Sequence, residues 1–378
     1  MKHSMRQLLL GFAIGGLFVL GACSSGSPKP QVPAIGEVKV QQVLKEGWSL
    51  KLPAATQLNQ SLQVVNQLVG VVAGTGQVTL VDLAQGKPRW QVDTAKALQT
   101  GAGFDGISLA VVSTANDLIV LQDGKQVWQK HLPAQSFTNP VVAGERVFVL
   151  LADRSVMAFD KTDGRRLWTQ QRPGEPLVLK QNGILLPFQN TLLASLGGRF
   201  VALNPDNGQI LWDVGIANPR GINDLERLVD LVGTASRINN SVCVRAFQAQ
   251  LGCVNAAKGV LMWNRASVGN KGISGDETML VGTESNGVVR AWNRTTGDRL
   301  WDTDRMKYRD LSQPLSIDKG IVITDDGGWI YLLSKKDGSL VNRLQTQVSG
   351  FASSPTAMDN GGFVVLGRNG LLLSYLLP

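Results

Sequence analysis

The sequence predicts an all-β protein, an eight-bladed β-propeller with four antiparallel strands in each blade. The first observation is a Gly followed four residues later by Trp, at Gly86/Trp90, Gly124/Trp128, Gly164/Trp168, Gly208/Trp212, Gly259/Trp263 and Gly297/Trp301. The second is the spacing. With a degenerate copy at Gly338/Asn342 and a Trp48 that lacks the upstream Gly, the eight markers lie 42, 38, 40, 44, 51, 38 and 41 residues apart. A period of that length marks a repeat architecture. The third is a shared flank. Four residues before the Gly stands a turn former (Asp82, Asp160, Asn204, Asn255, Asn293 or Ser334), and six before it a small or aliphatic residue (Leu80, Ala158, Ala202, Cys253, Ala291 or Leu332). The Gly124 copy is shorter there and breaks the register.

Residues 140–170 show what one unit contains. Val147 to Leu151 and Ser155 to Phe159 are short apolar runs on either side of an Ala152-Asp153-Arg154 turn. Asp160 to Gly164 makes a second turn, with Asp bonding its own backbone and Gly supplying positive φ. Arg165 to Thr169 then alternates polar and apolar, the pattern of a half-exposed strand. A fourth strand is expected after it, before the next unit. Four short strands per repeat make a propeller blade. Each Trp is expected to pack its ring against the neighbouring blade, as core and not as chemistry. The chain ends in two strands, Phe363 to Leu366 and Leu371 to Leu376, with no Trp after them. The early segments Val38 to Val43 and Trp48 to Leu52 are expected to complete that last blade and remove its open edge.

The amino terminus carries a separate signal. Lys2, His3 and Arg6 precede an apolar run from Leu8 to Leu20, too short to span a membrane but right for a signal peptide. Leu20-Gly21-Ala22-Cys23 resembles the lipobox of bacterial lipoproteins. That resemblance implies cleavage after residue 22, diacylglycerol on the Cys23 sulfur and an acylated amino group. Three acyl chains hold a protein to a bilayer far more firmly than one. Ser24 after the Cys favours the outer over the inner membrane. Residues 23–37, rich in Ser, Gly and Pro, read as the lipidated Cys with a flexible tether, and 38–378 as the propeller.

Composition excludes several functions. The chain has 37 Lys and Arg against 29 Asp and Glu, a net +8, which falls to +6 once residues 1–22 and their two basic residues are removed. The basic residues form no run, so nothing points to nucleic acid. His131 is the only His left beyond the signal segment, which excludes the usual zinc sites. No Gly-x-Ser-x-Gly elbow or phosphate loop is present. No catalytic, metal or cofactor residue is assigned, and the chain is expected not to be an enzyme. Cys243 and Cys253 face each other across a predicted hairpin centred on Gln248. Export permits a disulfide there, and two small buried thiols are the alternative.

Two propeller families compare with these blades. Trp212-Asp213 and Trp301-Asp302 mimic the WD dipeptide, but the Gly-His pair of WD40 blades is missing. The Gly-x-x-x-Trp blade resembles that of the quinoprotein dehydrogenases, whose adjacent Cys-Cys pair beside the cofactor is also missing. Lipobox, short tether and eight such blades in one chain resemble the BamB family, propeller lipoproteins of the β-barrel assembly (Bam) complex of Gram-negative outer membranes. The most specific stretch is Gly221 to Asp230, similar to the family's acidic inter-blade segment, where the repeat is longest. The resemblance implies a non-catalytic scaffold, on the periplasmic face of the outer membrane, that binds the periplasmic (POTRA) domains of the insertion protein BamA alongside other Bam subunits. It places that contact at Arg227 and Asp230 and at Leu177, Leu179 and Lys180, with Lys180 where the family has Arg and Val232 where it has a second Asp. Lys lacks the bidentate fork of Arg, which weakens that polar contact. Direct binding of nascent barrel proteins by edge pairing is a further idea on which the sequence is silent. A lipid-anchored propeller that binds a quinone, a sugar or another envelope protein is the competing reading.

Overall fold

The computed structural model describes residues 30–55, 60–172, 177–219, 222–223 and 227–377. Cys23 and the signal segment lie outside these. Within the unit Pro33–Pro378, 32 strands form eight four-stranded antiparallel sheets, each one blade. Blades 1 to 7 occupy residues 64–93, 103–131, 141–171, 185–215, 231–266, 273–303 and 315–345. Blade 8 takes its inner strands from residues 356–376 and its outermost strand, Lys45–Lys51, from the other end of the chain. This strand exchange closes the ring and leaves no open blade.

Burial explains the order of strands within a blade. In blade 3 the middle strands, Arg146–Leu150 and Ser155–Asp160, are covered on both faces and nearly continuously apolar, whereas Arg166–Gln171 alternates and lies outermost. First strands of neighbouring blades touch each other, so they line the axis. The fourth strand of the unit is therefore Val141–Ala143, ahead of the two apolar runs, and not a strand after the Trp. Two further expectations are corrected. Residues 38–43 are not a strand, because only Lys45–Lys51 can pair with Leu371–Leu376. The tether is also shorter than expected, since Pro33 and Ile35 already accept hydrogen bonds from Arg309 and Arg343 of the ring.

The recurring Trp and Gly meet across blade boundaries. The indole of Trp128 in blade 2 lies on Gly164 of blade 3, where a Cβ would come within 2.7 Å of the ring. Its Nε1 donates to Lys161 O at 2.7 Å in the same turn. Trp48, Trp168, Trp212, Trp263 and Trp301 repeat both contacts, donating to Leu83, Pro205, Ala256, Arg294 and Lys335 carbonyls at 2.9–3.1 Å. Gly164 is thus required twice, for its φ of +69° and for the ring above it. The small residue six before it, Ala158, stands directly opposite Trp168 on the paired strand, with a bulge immediately after. At the junction of blades 7 and 8, Asn342 replaces the indole and donates to Gln42 O at 2.6 Å.

Cys243 and Cys253 are register partners in the hairpin of blade 5, and their sulfurs are bonded. The loop closed by the bond is short, with a sequence separation of 10. Replacing both by Ala should cost about 2–3 kcal/mol in urea unfolding by the chain-entropy model. An unchanged midpoint would mean that the unfolded chain already keeps this hairpin together.

Candidate functional site

Connections from the last strand of one blade to the first of the next all emerge on one rim, together with the turns between the two middle strands. The longest are residues 216–230, entering blade 5, and 172–184, entering blade 4. These carry every residue assigned from sequence to the partner surface.

The structure joins the two through one carboxylate. Asp230 Oδ2 accepts the backbone N–H of Leu179 at 2.9 Å, and Oδ1 lies 3.5 Å from Arg154 Nη2. The same Arg154 nitrogen donates to Leu177 O at 3.2 Å. Arg154 and Asp230 are both largely buried, with side chains 13% and 16% exposed. Asp230 O further accepts Phe247 N, and Leu231 N donates to Gly197 O. Residues 177–180 are therefore tied, outside any strand, to Arg154 of blade 3 and to Asp230 at the entry to blade 5. Leu177 is 45% exposed and Lys180 is exposed, while Leu179 is half-buried above a hollow of about 50 Å³ that Phe137, Leu151 and Leu231 help to line.

Within the chain the assigned residues make different contacts. Leu177 and Leu179 lie outside any strand. Asp230 does not point its charge outward, because both oxygens are engaged inside the protein, so its part is to fix the segment. Arg227 is half-buried and donates its N–H to Asn223 O at 3.2 Å. Val232, at the position of the second acidic residue, is 2% exposed within the strand Leu231–Ile238. Two residues escaped the sequence reading. Arg154 takes a φ of +63° at a turn position where other blades place Gly76, Asn116, Gly287, Gly328 and Gly370. A long cation at a site that favours Gly was the available signal. Ile222 is fully exposed on the longest connection.

A second concave feature lies near the axis, a cavity of about 440 Å³ lined by blades 5 to 8 and by the connections entering blades 1 and 4. Four of its charged groups form two pairs, Arg368 with Asp326 at 2.8 Å and Lys271 with Asp310 at 3.7 Å. Burial and the neighbouring Asp325 hold the Tyr331 hydroxyl well above its usual range, so it stays a neutral donor to Asp325 Oδ2 at 2.6 Å. Gln313 ties blade 7 to Thr234 and to Ile273 O. Among the described residues no three of His, Cys, Asp and Glu converge as metal ligands would. The two described cysteines are ten residues apart in blade 5, so no adjacent pair stands at the axis.

Eight four-stranded blades closed by strand exchange, six of them carrying Gly-x-x-x-Trp, with their longest loops braced together on one rim, make this an eight-bladed β-propeller. Within that class the comparisons are specific. A family model described as outer membrane protein assembly factor BamB matches residues 74–303. The outer membrane protein assembly factor BamB of Burkholderia pseudomallei is 31% identical over 358 residues, 94% of each chain. The chain belongs to the BamB family. The crystal structure of BamB from Moraxella catarrhalis superimposes with a TM-score of 0.80 at 21% identity, covering 88% of this chain and 99% of that one. The quinohemoprotein alcohol dehydrogenase of Comamonas testosteroni shares the fold alone, with a TM-score of 0.69 at 12% identity over 88% of this chain and 76% of its own.

Proposed function

We propose that the chain is a non-catalytic scaffold of outer-membrane protein assembly, anchored through Cys23 to the periplasmic face of the outer membrane. It engages the periplasmic domains of BamA through the 177–180 segment and helps β-barrel proteins assemble and insert. The family to which the chain belongs supports the assembly role. The observation that carries the surface is the brace from Asp230 and Arg154, which presents Leu177 and Lys180 on the rim. A segment ordered before binding avoids the entropy of being ordered on binding.

The test is affinity purification of tagged protein from detergent-solubilised membranes. Leu177→Ala and Leu179→Ala should each weaken BamA recovery, by about ten- to thirtyfold in Kd if each loses roughly 1.4–2 kcal/mol. Asp230→Ala should behave likewise by freeing the segment. Asp230→Asn, which keeps an acceptor for Leu179 N–H, should retain most binding. If Asp230→Ala leaves BamA recovery at the wild-type level, the bracing role is wrong. The axial cavity favours a second reading, since about 440 Å³ is within the size range of small-ligand sites. Absence of BamA, together with a small molecule released on denaturing the purified protein, would move that reading first.

A further inference from the structure

The amino-terminal segment ends in a built attachment, and its position bears on how the ring faces the membrane. Pro33 O accepts Arg309 Nη2 at 2.8 Å, and Ile35 O accepts Arg343 Nη1 at 2.9 Å. Ile35 and Val38 pack on the core between blades 6 and 7. Gln41 N then donates to Val341 O at 3.1 Å, and Gln42 O accepts Asn342 Nδ2. Residues 33–42 thus run along the outer strand of blade 7, Leu340–Gln345, from its end towards its start, before turning back into Lys45–Lys51. Arg309 lies in residues 304–314, a connection from last to first strand. The attachment therefore begins on the rim that carries residues 177–180 and Asp230.

We infer that this rim is the one turned to the lipid surface, with Tyr308 and its cationic neighbours in the headgroup region. The inference rests on the reading of Cys23 as the lipidated residue. Nine residues separate Cys23 from Pro33. Fully extended they span roughly 33–36 Å, and as a Gly/Ser-type coil about 16–19 Å. An outer strand of five to seven residues is itself about 17–23 Å long, so the tether reaches about one blade height. The rim of departure is held close to the bilayer, and the opposite rim stands a further blade height away.

The surface around the attachment suits that position. Tyr308, next to Arg309, is 42% exposed and takes a φ of +64°, held by its N–H to Asn286 O at 2.7 Å. A strained, exposed aromatic is uncommon, and a Tyr ring with a polar tip fits the membrane interface. Lys307 Nζ lies 5.4 Å from its ring, and Arg305 is exposed. Both can meet anionic headgroups.

The two ends of one strand supply the test. Arg305→Cys and Thr295→Cys place a fluorophore on opposite rims beside the strand Arg299–Thr303, both at exposed positions. The native lipoprotein is reconstituted in phosphatidylethanolamine vesicles containing phosphatidylglycerol, with and without a headgroup-attached quencher. Quenching should be severalfold greater at position 305. A long Gly/Ser insertion after Lys29 should abolish the difference while leaving the ring intact. Equal quenching at the two positions, stronger quenching at 295, or a difference that survives the insertion overturns the inference. Protein that fails to co-sediment with vesicles overturns the lipid reading itself and the inference with it, and is distinguishable from these.

Discussion

Trp168→Ala should lower the stability of the ring by about 3–5 kcal/mol, read as a shifted denaturant midpoint. The side chain is 8% exposed, its ring lies 5.9 Å from that of Phe148, and Nε1 donates to Pro205 O at 2.9 Å in the next blade. Truncation removes a large apolar surface and leaves a cavity between blades 3 and 4. Gly208→Ala attacks the same junction from the other side. The added Cβ would lie 2.6 Å from Trp168 Cε3, and φ is +75°, a conformation that costs about 1–3 kcal/mol for a residue with a side chain. The double variant should be far less than additive, because without the indole the Cβ has nothing to strike and only the φ cost remains. Additive losses would show that Trp and Gly act independently, and the junction described here would be wrong.

That junction also shows what the sequence makes legible. Gly, Trp and the small residue six before Gly recur because one contact is built seven times with little variation, and a period needs no knowledge of partners to be seen. The sequence assigns Gly164 its turn but not the ring over it, because that ring belongs to the preceding repeat. Some equally regular positions stay hidden. Thr100, Ser312 and Ser353 each accept a backbone N–H, from Val112, Thr324 and Leu366 at 3.0 Å, and fasten the connection to its blade. In sequence they are ordinary loop hydroxyls at uneven spacing. The rim site divides in the same way. Its location is legible as extra length, whereas the inward role of Asp230 is not. A carboxylate in a loop looks the same whether it faces a partner or binds Leu179 N–H from 51 residues away.

Least legible of all is a charge pair with no free surface, and Glu284→Ala should expose its cost. Arg245 is fully buried and Glu284 is 1% exposed, with Nη2 to Oε1 at 3.7 Å across blades 5 and 6. The guanidinium occupies space left by Gly269 and Gly282, where a Cβ would come within 1.9 and 2.3 Å of it. Arg245 Nη1 donates to Thr283 O at 2.7 Å, whereas Nε and Nη2 find no hydrogen-bond partner among the described residues. Burial pulls this guanidinium down from its ordinary value near 12.5 to about 10, against the pull of Glu284. Removing Glu284 takes away the group that raises this guanidinium, so in the variant it falls further below its ordinary range. Removing Glu284 leaves an uncompensated buried cation, with the half-buried Arg290 also 3.9 Å from the lost carboxylate. The expected loss is about 3–5 kcal/mol in urea unfolding. Replacing both partners by apolar residues, Arg245→Met with Glu284→Leu, should recover most of it, since desolvating the pair is itself costly. If the apolar pair is as unstable as Glu284→Ala alone, the ion pair contributes net attraction between blades 5 and 6 rather than merely neutralising a charge already buried there.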